Sequence, residues 1–142
     1  MNYKITKISA ALVLLLGYTV LLTYWMLWGF GRTPQAEYMY NLQPFITISH
    51  FLEMDAWNGA MMINLLGNIG VFIPFGILIP LVFIRGVRGA GIIFLAGLFL
   101  LESAQLLTRR GSFDVDDFIL NSVGFLIGYG MYRLIRYWVG SK

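Results

Sequence analysis

Between residues 102 and 121 the chain gathers Glu102, Gln105, Arg109, Arg110, Asp114, Asp116, Asp117 and Asn121, although only 12% of the protein is charged. Residues of these types support three kinds of chemistry. A carboxylate can move a proton as a general acid or base. Carboxylates, amides and arginines together can fix the polar head of a ligand. Three aspartates at the spacing Asp114-x-Asp116-Asp117, facing another acid, could hold a hard divalent cation such as Mg²⁺ or Ca²⁺ through oxygen. Other familiar chemistries lack their parts. The chain has no cysteine, which removes thiol nucleophiles and disulfides, and no Ser/His/Asp set or P-loop. The one histidine, His50, reads as an interfacial residue rather than a base or ligand.

The elements that must position this cluster are apolar. The chain is 58% hydrophobic with a mean hydropathy of +0.74, and its charged fraction is well below the roughly 25% of a soluble domain. The composition predicts an all-α integral membrane protein, one unit over 1–142, without a separate soluble domain. The formal charge of +3 is not concentrated on one element, so nucleic acid is not an expected partner; the lipid bilayer is.

Four transmembrane helices are predicted, over about 8–30, 60–84, 89–107 and 114–138. Each is long enough for a hydrocarbon core of roughly 30 Å. The first follows Lys4 and Lys7 as a signal peptide would, but it exceeds a signal peptide's apolar region and ends in Tyr24, Trp25 and Trp28. These look like interfacial anchors, so the run is read as a retained span. Thr19 and Thr23 are expected to bond to carbonyls one turn back. Pro74 and Pro80 fall inside the second span, where neighbouring groups can take up the freed carbonyls. Residues 31–59 form a long connection broken by Pro34 and Pro44. Its Tyr38, Tyr40, Phe45, Phe51 and Trp57 suggest a loop lying partly along the membrane surface.

Alternating the spans puts seven of the ten Lys and Arg residues on one side: Lys4, Lys7, Arg85, Arg88, Arg133, Arg136 and Lys142. Arg32, Arg109 and Arg110 fall on the other. The positive-inside rule then makes both termini cytoplasmic and the 31–59 loop external. All seven acids, including Glu37, Glu53 and Asp55, segregate to the outer face.

Glu102 lies roughly 8 Å inside the outer end of its span. Gln105 and Arg109 share its helix face. Asp117, Asn121, Gly124 and Gly128 make one stripe on the fourth span, and Asn64, Gly67 and Asn68 another on the second. Three polar stripes at similar depth predict a shared, outward-opening polar pocket in the outer leaflet. Plainer readings stand beside this one. Asp114 can cap the fourth helix, with Asp116 and Asp117 in its first turn, where the helix dipole favours acids. Asn64, Asn68 and Gln105 can join helices by hydrogen bonds, and Gly124 and Gly128 form a small-xxx-small packing pattern. Glu102 resists such an explanation, because a buried acid costs about 2.5–3.5 kcal/mol at mid-membrane on insertion scales. Its expected partners are Asn64, Asn68 or Asn121, the alternative being that it is protonated.

The run Glu102-x-x-Gln105, Arg109 or Arg110, Phe113-Asp114-Val115-Asp116-Asp117, Asn121 and Gly124 resembles the signature of the VanZ-like family. Asn64-Leu65-x-Gly67-Asn68 with Phe72-x-Pro74-x-Gly76, and Asn41-Leu42-x-Pro44-Phe45, resemble two further motifs of that family, so the likeness covers about 41–128. It implies a small multi-pass protein of the bacterial plasma membrane, in a family named for a member associated with teicoplanin resistance.

The leading expectation is a non-catalytic envelope protein that contributes to glycopeptide resistance. Its pocket of Glu102, Gln105, Arg109, Asp114, Asp116, Asp117, Asn121, Asn64 and Asn68 would bind a lipid-linked cell-wall precursor or a lipoglycopeptide. An alternative is a membrane enzyme modifying an envelope lipid, with Glu102 as acid or base and a divalent cation on Asp114, Asp116 and Asp117. A transporter is disfavoured, because the polar groups occupy only the outer half of the spans.

Overall fold

Four apolar runs become four long helices, because inside a bilayer a helix satisfies its own backbone polar groups. In the computed structural model these are α1 (Asn2–Trp28), α3 (Gly59–Phe83), α4 (Val87–Thr108) and α5 (Val115–Gly140), with a short α2 (Ile46–Glu53) between the first two. The structure describes residues 2–53, 59–83 and 86–140, and within them all side chains but those of 2–5, 30, 51–53, 59–64 and 140. The stretches Thr6–Trp28, Leu65–Phe83, Val87–Thr108 and Val115–Val139 are each long and apolar enough to cross a membrane. Their ends fall close to the expected boundaries.

α3 and α5 run parallel in the tightest contact of the bundle. A Cβ added at Gly124 would lie 2.1 Å from the Ile69 carbonyl oxygen, and one at Gly128 2.0 Å from that of Ile73. One at Gly76 would meet the Phe125 carbonyl oxygen at 2.1 Å. Only hydrogen fits at these positions, so the glycines let the two backbones touch. Below the glycine seam a ladder of rings fills the interior. Phe94 of α4 stacks on Phe125 of α5 at 4.5 Å between centroids, and Phe72 of α3 meets Phe94 edge-on at 5.9 Å.

α1 packs on α3, where the Tyr18 hydroxyl donates to the Val71 carbonyl at 2.7 Å. Pro74 leaves the Gly70 carbonyl without its helical donor, and the Tyr18 bond lands one residue further on. Thr19 and Thr23 donate to Leu15 and Thr19 carbonyls, one turn back. α1 and α4 run toward one end of the bundle, and α3 and α5 run away from it.

That end carries structure the sequence did not announce. The described part of the 31–59 connection is not a featureless loop. A 3-10 turn at Gly29–Gly31 leads to strand β1 (Met39–Asn41), followed by α2. β1 pairs in parallel with β2 (Ser112–Asp114), which lies in the α4–α5 connection. The register joins Met39 to Ser112, Tyr40 to Phe113 and Asn41 to Asp114. Tyr38, Tyr40 and Phe45 are exposed; Trp57 and the side chain of Phe51 lie outside the described residues.

Candidate ligand-binding site

The acids divide into two that hold the loop, Asp114 and Asp116, and two that turn into the bundle, Asp117 and Glu102. Asp114 caps α5, its Oδ1 accepting the Asp116 amide at 2.8 Å. The same carboxylate holds the loop: Oδ1 also accepts from Asn41 Nδ2 at 3.2 Å, and Oδ2 accepts the Thr47 hydroxyl at 2.7 Å. Asp116, fully buried, reaches from α5 to the start of α2, where its oxygens accept the Phe45 amide at 2.6 Å and the Ile48 amide at 3.0 Å. An anion at a helix N-terminus answers both the orphan amides and the helix dipole. Phe45 takes a left-handed backbone, φ 68°, at this junction. Asn41 adds an Asx turn by accepting the Gln43 amide at 3.0 Å.

For the proposed divalent cation, the donors are thus already engaged: all four oxygens of Asp114 and Asp116 accept protein hydrogen bonds. Among the described residues no three His, Asp or Glu side chains are grouped to hold a metal.

Asp117 turns inward and accepts from Asn68 Nδ2 of α3 at 2.7 Å. That bond brings the second and fourth polar stripes together, and it uses the asparagine expected to serve Glu102. Glu102 itself is 0% exposed and Asn121 1%. Among the described residues, the buried side-chain atoms without a hydrogen-bond partner are Glu102 Oε1, Glu102 Oε2 and Asn121 Oδ1. The charges acting on Glu102 are Asp117, Asp114 and Arg32. Glu102 therefore faces the first turns of α5, and Asn121 lies one turn beyond Asp117 on that helix.

Gln105 is buried and donates to the Met26 carbonyl at 3.3 Å, tying α4 to α1. Asn64 lies in α3, with its side chain outside the described residues.

Arg109 does not join Glu102 and Gln105. It ends α4 in a left-handed conformation, φ 55°, with its amide on the Gln105 and Leu106 carbonyls. Leaving the helix there takes its side chain off the stripe. Its guanidinium donates to the Ala36 carbonyl at 3.1 Å and sits 5.9 Å from the Tyr38 ring. Arg110 donates to the Arg32 carbonyl at 3.0 Å and lies over Trp28. Arg32 returns a bond to the Arg110 carbonyl at 3.1 Å, and it is the cation acting on both Glu102 and Asp117. Gly111 lets it approach, since a Cβ there would lie 2.8 Å from Gln105 Nε2 and 3.1 Å from Arg32 Nη1.

The polar stripes thus meet but close on one another, with Glu102, Gln105, Asp116 and Asn121 all under 5% exposed. The hollow beside them is apolar. A groove of about 430 Å³ lies between α1, α3 and α4, lined by Leu15, Leu22, Phe72, Phe75, Leu98 and Leu101 among others. Its polar lining side chains, Thr19 and Thr23, have their hydroxyls bonded to backbone. On α3 the lining begins at Phe72, one turn or roughly 6 Å from Asn68, and on α4 it runs from Ile93 through Leu98 and Leu101 to Ala104, past the level of Glu102.

A family model described as VanZ/LLP1 matches residues 9–136, which takes in α3 and α4, most of α1 and α5, and every residue of the cluster. The chain belongs to the VanZ/LLP1 family. Neither the comparison with curated proteins nor that with solved structures gives a match. In this VanZ/LLP1 protein the residues that sequence reasoning left out are Arg32 and Thr47. In the sequence Arg32 stands out only as a loop charge. Thr47 carried no signal at all, since a lone threonine in a loop is ordinary. Asn41 appeared only as part of a family motif, and its role in bonding Asp114 depends on the β1–β2 register.

Proposed function

We propose that this multi-pass membrane protein binds a lipid-tailed envelope ligand, its tail in the α1–α3–α4 groove and its head at the Glu102–Asp117–Asn121 cluster. The observation that carries this reading is the adjoining of an apolar groove and a set of buried, unpartnered acceptors. A volume of about 430 Å³ is in the range of small-molecule sites. Moving an acyl chain from lipid into such a groove gains little, because lipid tails are as apolar as leucine. Selectivity must therefore come from the head, and the cluster is where polar selectivity is available. With the β-ribbon end outside the cell, as the positive-inside rule directs, the ligand belongs to the outer leaflet: a lipid-linked cell-wall precursor or a lipoglycopeptide of the teicoplanin type.

In cells the binding is read as resistance to a lipoglycopeptide. Glu102→Gln and Asp117→Asn are expected to insert and accumulate normally and to lose that resistance. Glu102→Gln is also expected to unfold no more easily than the parent in detergent, since it replaces a buried carboxyl group that has no hydrogen-bond partner. Retained resistance in both variants at normal abundance overturns the reading.

A further inference from the structure

The three orphan oxygens sit among an excess of acceptors. Glu102 brings two oxygens and Asn121 one, none with a protein donor at full hydrogen-bond geometry; the Asp114 amide acts on Glu102 only more weakly than such a bond would. Asp117 adds a carboxylate answered by one amide, that of Asn68. The nearby cations are largely engaged elsewhere: Arg109 and Arg110 bond loop carbonyls and lie against Tyr38 and Trp28. Arg32 acts on Glu102 and Asp117 from an exposed position while bonding the Arg110 carbonyl. What is lacking is a compact positive charge that carries several hydrogens.

Resting on the amphiphile reading above, we propose that Glu102, Asn121 and Asp117 seat a primary ammonium group, the cationic head of a molecule whose tail occupies the groove. An alkylammonium presents three N–H donors and one positive charge, which matches three unpartnered oxygens and the carboxylate excess. A phosphate or sulfate group set against these carboxylates would be repelled, so of the envelope ligands named above the cluster suits one that presents an amine there and keeps any phosphate away from it. A quaternary ammonium has no N–H to give and is recognised by aromatic faces rather than by oxygen acceptors. The groove adds the second requirement. Phe72 and Leu98 lead to the cluster, so the group arrives on an alkyl stem whose methylenes stay in the apolar section.

The test uses the full chain in lipid discs of phosphatidylglycerol, which carries no amine. Dissociation constants are measured for dodecylammonium, dodecyltrimethylammonium and dodecanol, with sodium chloride as a separate competitor. Dodecylammonium is expected to bind about tenfold or more tightly than either companion, the size of one charge-assisted hydrogen bond. Glu102→Gln is expected to erase that preference, and Asn121→Leu to reduce it. Gly97→Trp is expected to weaken all three amphiphiles. Gly97 lines the groove and has nothing within 4 Å of an added Cβ, so a large ring there fills the space without a backbone clash.

The outcomes separate the two readings. Equal binding of all three amphiphiles, weakened by Gly97→Trp, overturns the ammonium seat and leaves the groove reading standing. Equal binding of the trimethyl and primary heads, or displacement of dodecylammonium by sodium at millimolar concentration, also overturns it. Failure of every amphiphile to bind removes both readings. Should Glu102→Gln fail to fold, the head-group series on the parent chain and Asn121→Leu still decide.

Discussion

At the residue scale, the acids of the 114–117 run have different employments, and Asp116 shows why they cannot be read as one cluster. Its two oxygens serve amides of a different helix, so it is a cap in trans. Replacing Asp116 by alanine leaves the part-buried Phe45 and Ile48 amides without acceptors, each costing about 1–2 kcal/mol, the lower part of the range for a fully buried group. The expected loss is about 2–4 kcal/mol, measured by reversible unfolding in mixed detergent, with faster amide exchange at Phe45 and Ile48. Asp116→Asn keeps one acceptor oxygen and should fall between the two. An unchanged exchange rate at both amides would show that the carboxylate is not what holds α2. The sequence showed the local part of this arrangement, because an acid before a helix and another in its first turn are cap signals. It could not show the distant part. Backbone amides carry no side-chain signature, and nothing in residues 45–48 advertises a need for Asp116. Arg109 failed for the opposite reason: the helical stripe through Glu102 and Gln105 was extended to a residue where the helix has already turned left-handed.

At the element scale, α3 and α5 are joined by contact of backbone on backbone, and this was partly visible. The spacing of Gly124 and Gly128 marks a packing face, whereas the partner groove at Ile69, Ile73 and Gly76 is fixed only by the helix pair itself. Gly124→Ala or Gly128→Ala would put a methyl group about 2 Å from a carbonyl oxygen, so the helices must part along the seam. Overpacking of this kind costs about 1–3 kcal/mol or more. Gly70→Ala and Gly97→Ala, with nothing within 4 Å of the new Cβ, should be neutral or slightly stabilising, since alanine favours the helix. Unfolding in detergent across the four variants checks the contrast; equal effects at all four would deny the seam. The β1–β2 ribbon, by comparison, was illegible. Three-residue strands carry too short an alternation to read, and their pairing joins segments far apart in sequence. Yet that ribbon sets Asn41 opposite Asp114 and so brings the first loop onto the acidic run.

At the scale of the whole molecule, hydropathy was the strongest signal, and four spans followed from it because a bilayer demands long apolar helices. Sidedness depends instead on charge. Arg32, Arg109 and Arg110 stand at the β-ribbon end, against the bias of the other basic residues, and the structure gives a reason for them. Each donates to a backbone carbonyl of the segments that close that end. They are holding the connections together, so they weigh less against an external placement than three free cations would. Because the chain has no cysteine, sidedness can be measured without removing native thiols. Tyr40→Cys, on the exposed strand of the ribbon, is expected to react with a membrane-impermeant maleimide on intact cells. Val87→Cys, exposed at the start of α4, should react only after permeabilisation. Neither change touches a charge, so neither disturbs the bias being tested. The reverse labelling pattern would place Glu102 and Asn121 near the cytoplasmic leaflet. A lipoglycopeptide acting outside the cell could not then be the ligand, while the groove and its unpartnered oxygens would call for an amphiphile of the inner leaflet.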